Sequence, residues 1–259
     1  MEVRDPGLNE AIRAVGGVSE LARKIGIAQP SVSNWTRVPA ERVLVVEEVT
    51  GVSRTTLRPD LYCTDTTAEI DEVDAARAAE YRLLAGLLSR APDKEFLNRL
   101  SMLRADASPL GLAHAALAEA AARANADRVQ REYFDLFIGL GRGELLPYGS
   151  YYLTGFLHER PLARLREDLK TLGIERAEGN IEPEDHVAIL CEIMAGLIDG
   201  RLGGSAGADQ RLFDRHLKPW IGRFFSDLER AEAADLYARV GAVGRVFIDI
   251  ETEAFTLAA

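Results

Sequence analysis

A chain of 259 residues, 47% hydrophobic and 28% charged, is long enough for one large core or two ordinary ones and is not of disordered composition. Its 31 basic and 41 acidic side chains leave a formal charge of −10, which favours basic ligands over nucleic acid for the molecule as a whole. No run approaches the roughly 18 apolar residues of a membrane span, and MEVRDPGLNEAIRAVGG lacks the basic start and apolar centre of a secretory signal. The expectation is a cytoplasmic protein with no stable membrane insertion.

The charge is unevenly placed. Residues 1–62 hold eight Lys/Arg and eight Asp/Glu, so the acidic excess falls wholly on 63–259 and suggests two modules with different partners. VSELARKIGIAQPSVSNWTR, from Val18 to Arg37, has the period and punctuation of a helix-turn-helix. Leu21, Ala22 and Ile25 form one apolar face, Gly26 breaks the first helix, and Gln29, Pro30 and Ser31 open a second whose Val32 and Trp35 pack inward. Gln29, Ser31, Ser33, Asn34 and Arg37 then lie on or near an exposed face, where amides and hydroxyls can read base edges and an arginine can meet a phosphate. Zero net charge leaves docking on protein open beside DNA binding. Pro39 begins a further helix with Val43, Leu44, Val46 and Val49 suited to burial and Gly51 as its stop. With QPSVSNW, VPAERVLVVEEVTG and the closing LRPDLY, residues 1–62 resemble the Cro-like helix-turn-helix domains of the YdaS type.

Residues 63–73, CTDTTAEIDEV, are polar and acidic and read as a linker. From there to residue 259 helical periods dominate and no alternating β-branched run stands out. Tyr81, Leu84, Leu87 and Leu88 share a face, as do Val129, Tyr133, Leu136 and Phe137, and Leu162, Leu165, Leu169 and Leu172. About ten helices are expected here, which makes the chain all-α: a small helix-turn-helix domain followed by a helical bundle spanning 74–259. In GLGRGELLPYG the glycines alternate, but no Gly-Lys-Ser/Thr follows and the stretch succeeds a helix, so it reads as a turn pinned by Arg142 and Glu144 rather than a phosphate cradle. Trp220 and His216 read as a core pair. Tyr237, Phe247 and Phe255 read as packing. Cys63 and Cys191 form no CxxC pair, and Cys191 is a small core residue among apolar neighbours.

Most of the chemistry-bearing residues crowd into EPEDH, Glu182 to His186, at the head of the apolar run VAILCEIMAGLI. Catalysis would need a nucleophile, an oxyanion arrangement or a phosphate loop, and none accompanies it. A metal would need converging ligands, yet His186 has only Ile189 and Leu190 a turn later. Pro183 at a helix start with carboxylates in the first turn explains Glu184 and Asp185 as a cap, on a helix running from Glu182 to Leu197. His186 is left over.

EPEDH resembles the E-P-x-D-H signature of the TorD/DmsD-type redox-enzyme maturation chaperones. Upstream, EYFDLFIGLGRGELLPYGSYYLTGFLHERPLARLREDLKTLGI resembles the family's Y-x-x-L-F segment and proline-aromatic-serine corner, and downstream FDRHLKPWIGRFFSDLERA resembles its H-L-x-P-W segment. The resemblance covers roughly 74–259 and implies a non-catalytic chaperone, without cofactor or metal. Such a chaperone binds the twin-arginine signal peptide and body of an apo molybdopterin oxidoreductase, here of the formate dehydrogenase type, until its cofactor is loaded. The signal-peptide-binding residues it implies are Glu182 and Asp185 for the arginines, His186 as an orienting and pH-tuned group, Tyr148, Tyr151 and Tyr152 as aromatic contacts, and Phe137 and Leu153 along the groove. A homodimer is compatible with such a bundle. The fused helix-turn-helix lies outside the family's usual pattern and raises an alternative, a DNA-binding regulator whose helical body senses a client or ligand.

Overall fold

Helix-forming stretches punctuated by Gly, Pro and capping Asp or Ser build every regular element of this chain. The structure, a computed structural model, describes residues 4–59, 61, 71–176 and 182–257. Contacts divide it into two units, Met1–Ile70 and Asp71–Ala259. Residues 63–70 of the expected linker, and Tyr62 at the expected end of the first domain, lie outside the described residues. Among the described residues there are helices and no strand.

In the first unit, α1 (Pro6–Ala14) is capped by Asp5, whose side chain accepts from the Gly7 N–H. Next come α2 (Val18–Lys24), α3 (Gln29–Ser33), α4 (Val43–Thr50) and α5 (Arg54–Leu57). Gly26 turns the chain between α2 and α3 at φ 72°, as a helix-turn-helix requires. Leu8, Leu21, Ala22, Val32, Val38, Val43, Val46 and Leu57 form the core. Leu44 departs from expectation: it is 53% exposed, because Val43 and Val46 take the inward positions of α4.

The second unit contains ten α-helices among the described residues: α6 (Glu72–Ser89), α7 (Lys94–Leu100), α8 (Pro109–Arg123), α9 (Ala126–Tyr133), α10 (Gly149–Thr154), α11 (Arg160–Thr171), α12 (Val187–Ile198), α13 (Ala208–Leu212), α14 (Ile221–Arg230) and α15 (Leu236–Leu257). Asp71, Asp93, Ser108 and Asn125 cap α6, α7, α8 and α9 with their side chains. The apolar α12 packs along α6, and α15 packs against α14 and α8. Tyr81, Leu84, Leu190, Met194, Phe224, Phe225 and Tyr237 are buried in their common core. Glu251, 1% exposed within it, is held by a two-pronged contact from Arg77 (2.7 and 2.9 Å) and by the Tyr81 hydroxyl.

The expected helix from Glu182 begins instead at Val187. Pro183 to His186 form a turn, closed by His186 N–H donating to the Pro183 carbonyl at 3.0 Å. Across it, Gly149 N–H donates to the Asp185 carbonyl and Val187 N–H to the Pro147 carbonyl, both at 2.9 Å. This isolated bridge between Tyr148 and His186 holds the chain extended where a helix was expected.

Candidate functional site

The turn from Glu182 to His186 is locked to the head of α10. The Tyr148 hydroxyl donates to Glu182 Oε2 at 2.7 Å, and the Tyr148 and His186 rings meet edge to face with centroids 5.1 Å apart. Burial, then the Glu182 carboxylate, pushes the Tyr148 hydroxyl well above the ordinary tyrosine range, so it remains a donor. Asp185 is 3% exposed, and its Oδ2 accepts the Ser150 backbone N–H at 2.7 Å. Its Oδ1 and the Ser150 hydroxyl are buried with no hydrogen-bond partner among the described residues. A cavity of about 180 Å³ lies beside them, lined also by Leu153, Leu165, Arg215 and His216.

His186, the residue left over in the sequence, is the N-cap of α12. Its Nδ1 accepts the Ala188 N–H at 3.1 Å, which assigns the ring hydrogen to Nε2. The ring is 7% exposed, and burial lowers its pKa below the ordinary histidine value against the opposing pull of Glu182 and Asp185. Titration near neutral pH, expected from sequence, is therefore displaced toward acid. Burial opposes ionisation of Glu184 too, but the Arg166 guanidinium, 2.8 Å away, and a backbone hydrogen bond hold it below the usual carboxylate range.

Glu182 and Glu184 stand at one end of a larger groove of about 810 Å³ between α6, α11 and α12. Leu169, Ile174, Ile189, Ile193 and Leu202 give it an apolar lining. Glu192, exposed on α12, and Glu175 bring the carboxylates to four, and Arg166, Lys170 and Arg176 line the groove as well. Arg82 and Arg201 lie toward the other end, both paired with Asp199. Charges of both signs beside an apolar lining suit a ligand that has a charged end and an apolar stretch. Sequence reasoning missed this wall of α12, although Ile189, Glu192, Ile193 and Gly196 share one helical face by their spacing of three and four.

Of the eight residues expected at a peptide site, Tyr148, Glu182, Asp185 and His186 come together, and Glu182 lines the large groove. Leu153 lines the small cavity beside Asp185. Tyr151 and Tyr152 line a third cavity of about 330 Å³. There Arg142 donates to the Tyr151 hydroxyl at 2.6 Å, and Tyr152 donates to Asp227 at 3.1 Å. Phe137 packs inward on Tyr133 and Tyr237. Arg142 and Glu144 were expected to pin the glycine corner, but among the described residues they do not pair with each other. Glu144 instead accepts the backbone N–H groups of Glu232 and Ala233 ahead of α15. Trp220 is a core residue donating to the His216 carbonyl at 2.6 Å, while His216 Nε2 meets Asp168 at 2.6 Å.

In the first unit Gln29, Ser31 and Asn34 are exposed and Ser33 partly so, with Arg37 exposed beyond α3. Gln29 donates to the Ser33 hydroxyl at 2.8 Å, which ties up two of the five groups expected to read DNA. Among the described residues no group of three or more His, Cys, Asp or Glu converges as a metal site. No helix among them is long and apolar enough to cross a membrane.

Comparison with known proteins fits this two-unit chain. Residues 103–226 match the family described as nitrate reductase delta subunit, and residues 8–66 match that described as bacterial toxin YdaS. A chaperone protein TorD of Vibrio cholerae is 29% identical over 126 residues, covering 45% of this chain and 57% of that protein; the chain thus spans little more than half the length of the first curated relatives it matches. The chaperone protein TorD of Shewanella loihica is 24% identical over 210 residues, covering 71% of this chain and 96% of that one. A solved structure described as a redox enzyme maturation protein, from Archaeoglobus fulgidus, is 21% identical, with 74% of this chain and 99% of that one covered at a TM-score of 0.46. The second unit of this chain is thus similar to TorD chaperones and matches the nitrate reductase delta subunit family model over residues 103–226, and its first unit matches the YdaS model.

Proposed function

We propose that this chain is a cytoplasmic, non-catalytic maturation chaperone that binds the twin-arginine signal peptide of an apo molybdopterin oxidoreductase and releases the client once its cofactor is in place. A formate dehydrogenase is the client we favour, on the likeness of the GRGELLPYGSYYLTGFL corner. The observation that carries the reading is Glu182: a half-buried carboxylate, oriented by the Tyr148 hydroxyl, at the mouth of an apolar-lined groove. A carboxylate at the groove mouth can meet a guanidinium there, giving register as well as attraction. Asp185 and His186 support Glu182 from behind by fixing α10 and α12.

Calorimetry on the full chain with a synthetic twin-arginine signal peptide tests this. Glu182→Gln keeps the shape and hydrogen bonding of the side chain and removes its charge. Binding at least tenfold weaker, about 1.4 kcal/mol, with unchanged helical content is expected. Equal affinity of the variant would remove Glu182 from the site. Recovery of a molybdopterin oxidoreductase with the tagged chain from its native cytoplasm would identify the client.

A second reading concerns the first unit, whose α3 leaves Gln29, Ser31 and Asn34 facing solvent on a helix-turn-helix. Sequence-specific DNA binding through these groups with Ser33 and Arg37 would make the chaperone a reporter of client assembly. Selection from random duplexes with the full chain tests it; recovery of no enriched sequence ends that reading.

A further inference from the structure

We infer that the small cavity beside Asp185 and Ser150 binds a primary amide, a neutral group that carries a hydrogen-bond donor and an acceptor on one carbon. The cavity shares no lining residue with the large groove, so the inference goes beyond the proposed signal-peptide function and does not depend on it. Asp185 is 3% exposed and Ser150 is fully buried. The Ser150 N–H donates to Asp185 Oδ2 at 2.7 Å. Oδ1 shares its carbon with Oδ2, and the Ser150 hydroxyl belongs to the residue that donates, so one short contact keeps the two remaining polar atoms near each other. Neither has a hydrogen-bond partner among the described residues, and both residues line the cavity. Buried polar atoms are costly to leave unmatched. An ionised carboxylate only accepts, whereas a hydroxyl also donates. An amide answers both, with its N–H for Asp185 Oδ1 and its oxygen for the Ser150 hydroxyl.

The charges around the cavity disfavour an ionic occupant. Arg164 and Arg215, both exposed, line it together with His216. Asp168 engages two of these three, taking Arg215 at 3.0 Å and His216 Nε2 at 2.6 Å. Arg164 makes no ion pair or hydrogen bond among the described residues. A cationic ligand reaching Asp185 would meet both arginines, and an anionic one would be set against the buried Asp185 carboxylate, a like-charge contact in either case. A neutral amide avoids both. Leu153, Pro161 and Leu165 supply apolar walls for a short alkyl stem. The volume, about 180 Å³, is several times the roughly 30 Å³ share of one water in the liquid, which leaves room for an amide on a stem of a few carbons.

The experiment titrates the full chain by NMR with three probes of matching size: propionamide, propionate and butylammonium. Propionamide should shift the Ser150 amide and the Leu153 and Leu165 methyl signals saturably, at least tenfold more tightly than either ion. Ser150→Ala, which keeps the backbone N–H on Asp185, should weaken propionamide at least tenfold. Arg164→Gln should change propionamide by less than twofold and bring butylammonium closer to it. Repeating the titration with end-blocked glutamine, and with an end-blocked pentapeptide carrying glutamine at its centre, distinguishes the sources of the amide. Tighter binding of the pentapeptide assigns the site to a client side chain, and tighter binding of the single residue to a free small amide. Equal affinity for propionamide and the two ions overturns the inference, as does a silent Ser150→Ala. The absence of any saturable shift means a cavity filled by water only and overturns it too. Should Ser150→Ala fail to fold, the three probes on the unaltered chain decide by themselves. The peptide calorimetry of Glu182→Gln reads the proposed function separately, so either can fail without the other.

Discussion

His186 and His114 are two buried-side histidines whose protonation works in opposite senses. His186 accepts the Ala188 N–H through Nδ1, so its neutral form is the cap of α12, and burial lowers its pKa. The unfolded chain, with an ordinary histidine near 6.5, then binds more protons, and stability is lost as pH falls from that value through the folded pKa. His186→Asn, which keeps an acceptor but cannot titrate there, should flatten the acid limb of a urea-stability profile between about pH 5 and 7, while His186→Ala should cost about 1 kcal/mol at pH 8 through the lost cap. His114 sits between both oxygens of Glu80, each 3.0 Å from Nε2, and that hydrogen bond raises its pKa against burial. Its contribution is present in full below the unfolded value and fades as pH rises through the folded one. His114→Gln should remove this alkaline loss and leave the acid limb unchanged. An acid limb unaffected by His186→Asn would place the buried proton acceptor elsewhere.

At the scale of elements, the Asp185 side chain helps couple α10 to α12. Asp185 accepts the N–H of Ser150 from a position 35 residues away, with both residues buried. Asp185→Ala should strand that buried donor and cost about 1–3 kcal/mol, with the loss appearing in hydrogen exchange at the start of α10 before the global transition; uniform exchange would show that the junction is held by the backbone bridge alone. This coupling explains what could be read in advance. The helical faces of Tyr81–Leu88 and Leu162–Leu169 were legible because burial imposes a period that local sequence must carry. The start of α12 was not, because Pro183, Glu184 and Asp185 suit a helical first turn equally well. A partner segment at Pro147–Gly149, invisible in the local pattern, holds the chain in the bridged turn instead. The alanine-rich stretch after residue 110 carries no obvious break in the sequence, whereas the structure ends one helix at Ala124 and starts the next with Asn125 as the cap of α9. The carboxylates of the candidate site were legible by their crowding, and Ser150 and the α12 wall were not, since only the fold brings them to the cavities.

For the whole molecule, charge decides what each unit can grip. Residues 1–62 are neutral by count, and the remainder carries the entire excess of ten acidic groups. Within the first unit Arg23 is spent on Glu20 and Arg54 on Glu47, both at 2.8 Å, and Arg58 is buried donating to the Val38 carbonyl at 2.7 Å. Non-specific DNA affinity comes from phosphate contacts, each adding about −0.9 to the slope of log K against log salt. With so many cations internally matched, any DNA complex of the full chain should make few such contacts. The slope should be no steeper than about −3, and binding to random duplex should be undetectable at physiological salt. Sequence preference, where found, should then vanish with Asn34→Ala or Ser31→Ala while the slope stays the same. A slope several units steeper would mean that the ion pairs with Glu20 and Glu47 open on binding, and would turn the first unit from a selective reader into a general DNA anchor. The signal-peptide binding proposed for the second unit should weaken with salt too, but through carboxylates, so Glu182→Gln should lower that salt sensitivity without touching the first.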